Sequence, residues 1–347
     1  MKDDGKKEKI LIFNMNWLGD VIFTSPFIRA IRKASKMSVI SCVVPPRCEP
    51  LLKYNPHIDN LIIYDDKGRE AGLIGKFAFI SRLRKEHFDV AYILHRSFTR
   101  ALLVFAAGAV KRIGYNTKAR GFLLTEPIAL PGGEIHRVEY YLKLAESQGT
   151  DISNKDYDFF WGREDEERSE KSLRDAGIGP KERFVVFNPG GNWEPKRWPV
   201  DNFAELADLI METYKTRIVV TGAAGDRKLA EAISERTKGP VSSLCGKTGI
   251  RELGPIFKRS SVVISGDSGP MHIAVSVGAN VIAIFGPTKA SITGPYGRGN
   301  YSVLTGDAGC RVPCYDTGCR DNRCMKLVTA GDVIGIIEKK GILERAE

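Results

Sequence analysis

In Val262–Thr288, VVISGDSGPMHIAVSVGANVIAIFGPT, a β-branched run meets Gly266-Asp267-Ser268-Gly269, and Pro270 stands where a helix would begin. Small residues there leave backbone N–H groups uncovered, which suits an anion site at a helix N-terminus. Asp267, Ser268 and His272 add polar groups. Each also has a plain structural use: the first two as helix caps, the third as a buried histidine. A second candidate is Pro189–Pro199, PGGNWEPKRWP, where Lys196 and Arg197 suit a diphosphate. Gly222-Ala223-Ala224-Gly225-Asp226 adds a loop acid placed to meet sugar hydroxyls. In the first half, Asp20 follows NMNWLG at a strand-to-helix junction. It is either an N-cap stabilised by the helix dipole or a carboxylate held over a substrate. A carboxylate to take a proton, with cations and N–H donors for a departing anion, is the equipment of group transfer.

These loops need strands before them and helices after them. Ile10–Asn14, Val39–Val44, Leu61–Tyr64 and Val90–Leu94 read as strands, with helices near Leu73–Glu86 and Phe98–Ala107. A helix from about Val21 would keep Phe23, Phe27, Ile28 and Ile31 on one face. His136–Gln148 reads as a helix closing the first half, and the charged stretch 151–183 marks the boundary. The pattern restarts at Phe184–Asn188, with the helix Asp201–Thr213 and the strands Arg217–Thr221, Val262–Ile264 and Val281–Phe285. Strands alternating with helices predict an α/β protein with parallel sheets. Neither G-x-G-x-x-G nor a Walker A spacing is present, which disfavours a standard NAD site and a P-loop.

The 347 residues are 43% hydrophobic and 27% charged, enough for two domains of ordinary size. No apolar run approaches the roughly 20 residues that span a bilayer. The N-terminal MKDDGKKEK has no apolar signal region, which predicts a cytoplasmic protein. The net charge of +10 is uneven: residues 1–150 carry 24 Lys+Arg against 15 Asp+Glu, the remainder 28 against 27. A basic first half predicts an anionic partner there, whether nucleic acid, a membrane surface or a charged substrate. Arg96, Arg100, Lys111, Arg112, Lys118 and Arg120 cluster late in that half. Cys310, Cys314, Cys319 and Cys324 lack the paired C-x2-C spacing of common zinc sites, which favours reduced thiols packed in a loop over a structural metal.

Taken together, NWLGDVIFTSPFIRAIRK, PGGNWEPKRWP, TGAAGD and SGDSGPMHIAVSVGANVIAIFGPT resemble the bacterial heptosyltransferases of lipopolysaccharide core synthesis, glycosyltransferase family 9. The cysteines followed by Met325 fit the same pattern, and LHRSFTRALLVFAAG and RIGYNTKARGFLL resemble its heptosyltransferase II branch. The resemblance implies a GT-B fold, two Rossmann-like domains with parallel sheets facing a central cleft. It implies an acceptor domain over 1–160 and a donor domain over 161–347, whose C-terminal helix is able to pack back on the first domain. The reaction implied is inverting transfer of heptose from ADP-heptose, a substrate, to a lipopolysaccharide inner-core acceptor (Kdo or heptose on lipid A). Asp20 falls on the catalytic base. Asn192, Lys196, Asp226, Asp267, Ser268, Gly269 and His272 fall on the donor site, with Asn192 where relatives carry a hydroxyl residue. Arg96, Arg100 and Arg120 are the expected acceptor contacts. The expectation is completed by a peripheral position on the anionic cytoplasmic face of the inner membrane, with no nucleic acid and no metal in the chemistry. The alternatives are a GT-B sugar-nucleotide epimerase and a non-catalytic basic nucleic-acid-binding protein.

Overall fold

The computed structural model describes residues 7–345; residues 1–6, most of the charged N-terminal stretch, lie outside it. The chain divides into two compact units, the first ending at Phe160 and the second beginning at Trp161.

The sheet of the first unit contains β1 (Lys9–Phe13), β2 (Val39–Val44), β3 (Asn60–Ile63), β4 (Val90–Ile93), β5 (Lys111–Tyr115) and β6 (Glu126–Ile128). All neighbours are parallel, in the order β3-β2-β1-β4-β5-β6. Ile10 is opposite Val39's neighbour Ile40 on one side and Val90 on the other, so β1 is central. The second sheet contains β7 (Phe184–Asn188), β8 (Arg217–Val220), β9 (Val241–Ser243), β10 (Val262–Gly266), β11 (Val281–Phe285) and β12 (Tyr301–Thr305). Its order is β12-β11-β10-β7-β8-β9, again all parallel. Every residue of β7, β10 and β11 is buried. Helices cover both faces of such a sheet, so its central strands read as continuous apolar runs rather than alternating ones.

Each sheet reverses its strand order once, between β1 and β4 and between β7 and β10. Successive connections leave those strand ends in opposite directions, which opens a crevice at the carboxyl edge. That is where the candidate loops fall.

One expectation is corrected. The helix after β1 is Leu18–Phe23, with Trp17 at the N-cap and no side-chain cap bond, so Asp20 is its third residue rather than its cap. The C-terminal helix Ala330–Lys340 belongs to the second unit, where Val333 and Ile337 enter the core beside Leu206 and Ile210 of the helix Val200–Tyr214. Among the described residues, no helix is long and apolar enough to cross a membrane.

The second unit also depends on a buried charge. Asp165, 1% exposed, accepts from Arg251 Nε at 3.1 and 3.0 Å through its two oxygens and from the Gly162 N–H at 3.0 Å. Asp165→Ala removes both a helix-starting acceptor and the buried carboxylate to which Arg251 Nε donates. The expected loss is about 3 kcal/mol, read as a lowered unfolding temperature.

Candidate active site

On the second unit, β10 ends at Gly266, and Ser268 caps the helix Gly269–Ser276. Its Oγ accepts from the Met271 N–H at 3.4 Å and lies 3.0 Å from Ser265 Oγ. Pro270 occupies the first turn, where a missing N–H costs nothing. From the other side of the order reversal, the loop after β7 brings Lys196 Nζ to 2.6 Å from Asp267 Oδ2. Both side chains are largely enclosed, at 20% and 8% exposure, so the pair is weakly screened. The approach is tight: a Cβ at Gly266 would stand 2.9 Å from the Lys196 carbonyl. Lys196 Nζ also lies 5.2 Å from the Trp193 ring centroid, and Arg197 holds the loop closed by donating from Nη2 to the Gly191 carbonyl at 2.9 Å.

The loop after β8 is the third element of this edge. Asp226 Oδ2 accepts from the Ala223 N–H at 2.8 Å, and a Cβ at Gly190 would lie 2.6 Å from that carboxylate. The glycine is therefore what lets the β7 and β8 loops touch. Three buried polar side chains underlie them. Asn188 Nδ2 donates to Ser265 Oγ and Ser268 Oγ, each at 3.3 Å, and Asn188 Oδ1 accepts from Thr221 Oγ1 at 3.4 Å. A polar network at the ends of three adjacent strands holds three loops in register. Asn188 and Thr221 were not singled out in the sequence; a polar residue ending an apolar strand was the available signal.

Lys196, Asp267, Ser268 and Gly269 thus come together, with Asp226 on the neighbouring loop. His272 is 2% exposed, inside the helix that starts here, and Asn192 is exposed on the Pro189–Pro199 loop. The four C-terminal cysteines are free thiols, and no group of three or more metal-ligating residues occurs among the described residues. Tyr315, from the same cysteine-bearing segment, meets Trp193 edge-on at 6.1 Å.

On the first unit, Asp20 stands in the first turn after β1, at the same kind of crevice. Buried Asn14 fixes the loop by accepting from the Met15 N–H at 2.7 Å and Thr24 Oγ1 at 3.0 Å. Arg47 donates to the Asn16 carbonyl at 2.7 Å and lies 4.5 Å over Trp17. Burial holds the Tyr141 hydroxyl proton well above its usual range, and the Asp20 charge adds to the effect.

The structure seats two of the three expected acceptor arginines inside the unit. Arg120 is 0% exposed; it donates from Nε to the Tyr115 carbonyl at 2.9 Å and from Nη1 to the carbonyls of His95 and Ser97. Burial pulls its pKa down to about 10. Arg100, 7% exposed, donates to Asp66 Oδ2 at 2.5 Å. Arg96 alone of the three is exposed. His95, directly after β4, accepts from the Ser97 N–H through Nδ1 at 3.1 Å. Burial, then Arg100, Arg120 and Lys118, push its pKa down to about 4.

A family model described as glycosyltransferase family 9 (heptosyltransferase) matches residues 76–323. Lipopolysaccharide heptosyltransferase 2 of Salmonella typhimurium is 28% identical over 299 residues, covering 83% of this chain and 85% of that one. Among solved structures, a glycosyl transferase family 9 protein from Veillonella parvula superposes with a TM-score of 0.89 at 25% identity, over 98% of each chain. The ADP-heptose lipopolysaccharide heptosyltransferase II of Escherichia coli superposes with a TM-score of 0.77 at 22% identity, over 96% of this chain and 98% of that one.

The neutral His95 ties the stability of the first unit to pH. The unfolded chain takes up this proton near 6.5 and the folded one only near 4, so acid favours unfolding. Stability at pH 7 should be lost progressively between about 6.5 and 4. His95→Gln should flatten that limb in urea titrations at stepped pH.

Proposed function

The chain belongs to glycosyltransferase family 9, the heptosyltransferases, and from that premise we infer that it transfers heptose from ADP-heptose to the inner core of lipopolysaccharide, with inversion. The observation that carries the reading is the Lys196–Asp267 pair beside the Ser268-capped helix, at the strand-order reversal of the second unit. A nucleoside diphosphate placed there would meet an ammonium and a positive helix end together. Both gain as negative charge builds on the departing diphosphate, which is the condition for accelerating transfer rather than only binding. They supply the positive charge the step needs, so the reading calls for no metal ion.

In this reading Asp267 orients the Lys196 ammonium and is placed to reach sugar hydroxyls. Asp226 takes the ribose side of the donor and Asn192 lies on the loop that covers it. His272 supports the helix start from within. Asp20 accepts the proton of the acceptor hydroxyl as its oxygen attacks the anomeric carbon and the bond to diphosphate breaks. The acceptor carries carboxylates or phosphates and meets Arg96, while Arg100 and Arg120 act beneath it by holding the loops around His95. The enzyme works at the cytoplasmic face of the inner membrane, where a lipid-anchored acceptor is presented. An epimerase would have no use for an acceptor-side carboxylate, and nucleic-acid binding would leave Asp20 and the Lys196 site without a role.

Release of ADP from ADP-heptose, with and without a core acceptor, tests this directly. Acceptor-dependent release is expected; product formed without acceptor would support the epimerase. Asp20→Asn should lower kcat by ~10²–10⁴ with ADP affinity nearly unchanged, since the amide cannot take the proton. Lys196→Ala should weaken ADP binding by about tenfold to a hundredfold, because it also leaves the Asp267 carboxylate facing the diphosphate. Adding Asp267→Asn to that variant should recover part of the affinity. Recovery of none would remove the pair from the donor site.

A further inference from the structure

Two neighbouring helices of the first unit, Leu73–Arg84 and Phe98–Ala106, bury only part of their apolar residues. Leu73, Ile74 and Phe77 are 73%, 87% and 68% exposed. On the second helix Phe98, Leu102 and Phe105, at i, i+4 and i+7, are 39%, 42% and 47% exposed. Their spacing puts them on one face. Asp66, just before the first helix, bonds Arg100 in the first turn of the second at 2.5 Å, so their starts are adjacent. Arg84 Nη2 donates to the Ala106 carbonyl at 2.7 Å, so their ends are adjacent too. The helices therefore lie side by side and parallel, and the exposed residues form one ridge. Phe122, 74% exposed, extends it through a ring contact with Phe98 at 6.1 Å. Contiguous apolar surface of this kind marks an interaction site.

Charge decides what the ridge fits. Residues 71–85 and 90–125 contain no Asp or Glu. The carboxylates at the margins are engaged: Asp66 by Arg100, buried Glu70 with Arg69 and Arg82, Glu86 with Lys9 and Glu126 with Lys111, while Asp65 and Asp89 accept from the backbone N–H groups of Gly68 and Lys9. Around the ridge stand Lys67, Arg69, Arg84, Lys85, Arg96 and Lys118, all exposed. Apolar and aromatic side chains inside a ring of cations, with the bordering acids already engaged, match acyl chains below a layer of phosphates.

We propose that the Leu73 and Phe98 helices dock on the surface of an anionic phospholipid bilayer, with the ridge at the acyl boundary and the cations on the headgroup phosphates. The proposal rests on the reading that the acceptor is lipid-anchored, and it gives that reading a surface. Both helices begin at the carboxyl edge of the sheet, the edge that carries Asp20 and Arg96. Docking there would bring a membrane-held acceptor to the base without extracting its lipid.

The test is co-sedimentation with vesicles of phosphatidylethanolamine and phosphatidylglycerol, against vesicles of phosphatidylcholine alone. The wild-type chain should bind the anionic vesicles more tightly, and less so as salt is raised. The double variant Ile74→Glu/Phe77→Glu should lose about tenfold or more of that binding, with unfolding temperature and ADP affinity unchanged. Lys67→Gln/Lys85→Gln should weaken binding to anionic vesicles only. No vesicle binding by the wild type, equal binding to both compositions, or undiminished binding by Ile74→Glu/Phe77→Glu would overturn the proposal. So would a concentration-dependent dimer that this variant abolishes, because a second copy would then cover the ridge. Transfer to a deacylated, water-soluble core acceptor separates the two readings. If that transfer occurs while vesicle binding fails, the surface is wrong and the transferase stands. If vesicle binding holds and no acceptor is glycosylated, the reverse is true.

Discussion

A parallel sheet whose strand order reverses leaves two adjacent strands with connections that depart in opposite directions. Nothing fills the space between those departures, so a crevice forms at the carboxyl edge whatever the loops contain. This chain does so twice, at β1/β4 and at β7/β10. Most of the residues proposed for the reaction follow strands at those reversals, while Asp226 follows the neighbouring strand β8. Asp20 and His95 follow β1 and β4; Lys196 and Asp267 follow β7 and β10. Moving any of these strands by one position in the order would separate residues that now share an edge.

The two crevices are furnished differently. At β7/β10 the charges are opposite and in contact, the Lys196 ammonium 2.6 Å from the Asp267 carboxylate, above an uncharged network of Asn188, Ser265, Ser268 and Thr221. The two charges offset each other, and the Lys196 ammonium is held in place by a carboxylate rather than by solvent. At β1/β4 the cations are layered. Arg120 and Arg100 are inside, bonded to carbonyls and to Asp66, and add to the burial that holds the pKa of His95 down; Arg96 and Lys118 are outside. The positive charge of the first half therefore has two uses, one structural and one facing outward, which a count of charges does not separate.

Exposure adds a third contrast. Helices that cover a parallel sheet ordinarily turn their apolar faces inward, as Val200–Tyr214 does with Phe203, Leu206 and Ile210. Leu73–Arg84 buries only Phe79 and Leu83, although most of its residues are apolar or cationic. Its exposed Leu73, Ile74 and Phe77 therefore contribute nothing to the core beneath it.

The sequence by itself determined the alternation of strands and helices, the two-unit organisation and the polar loops at the strand ends, where Lys196, Asp226 and Asp267 lie. These are properties of local pattern: β-branched runs end in glycine and polar residues, and the loop chemistry is contiguous in the chain. The family was legible for the same reason, since its motifs are short and ordered. What only the tertiary structure decided concerns residues whose partners are distant. Asp20 was readable as an N-cap, but the helix begins at Leu18 with Trp17 at its N-cap, which makes Asp20 the third helical residue. The C-terminal helix packs Val333 and Ile337 into the core beside Val200–Tyr214, a contact that bridges more than a hundred residues of sequence. Arg100 and Arg120 looked like Arg96, because an arginine's burial depends on which carbonyls and carboxylates folding brings to it. Asp66 is 34 residues from Arg100, and the His95 carbonyl is 25 from Arg120. Periodicity reports which face a residue occupies, but not what waits on that face, and for a charged side chain the second fact decides the role.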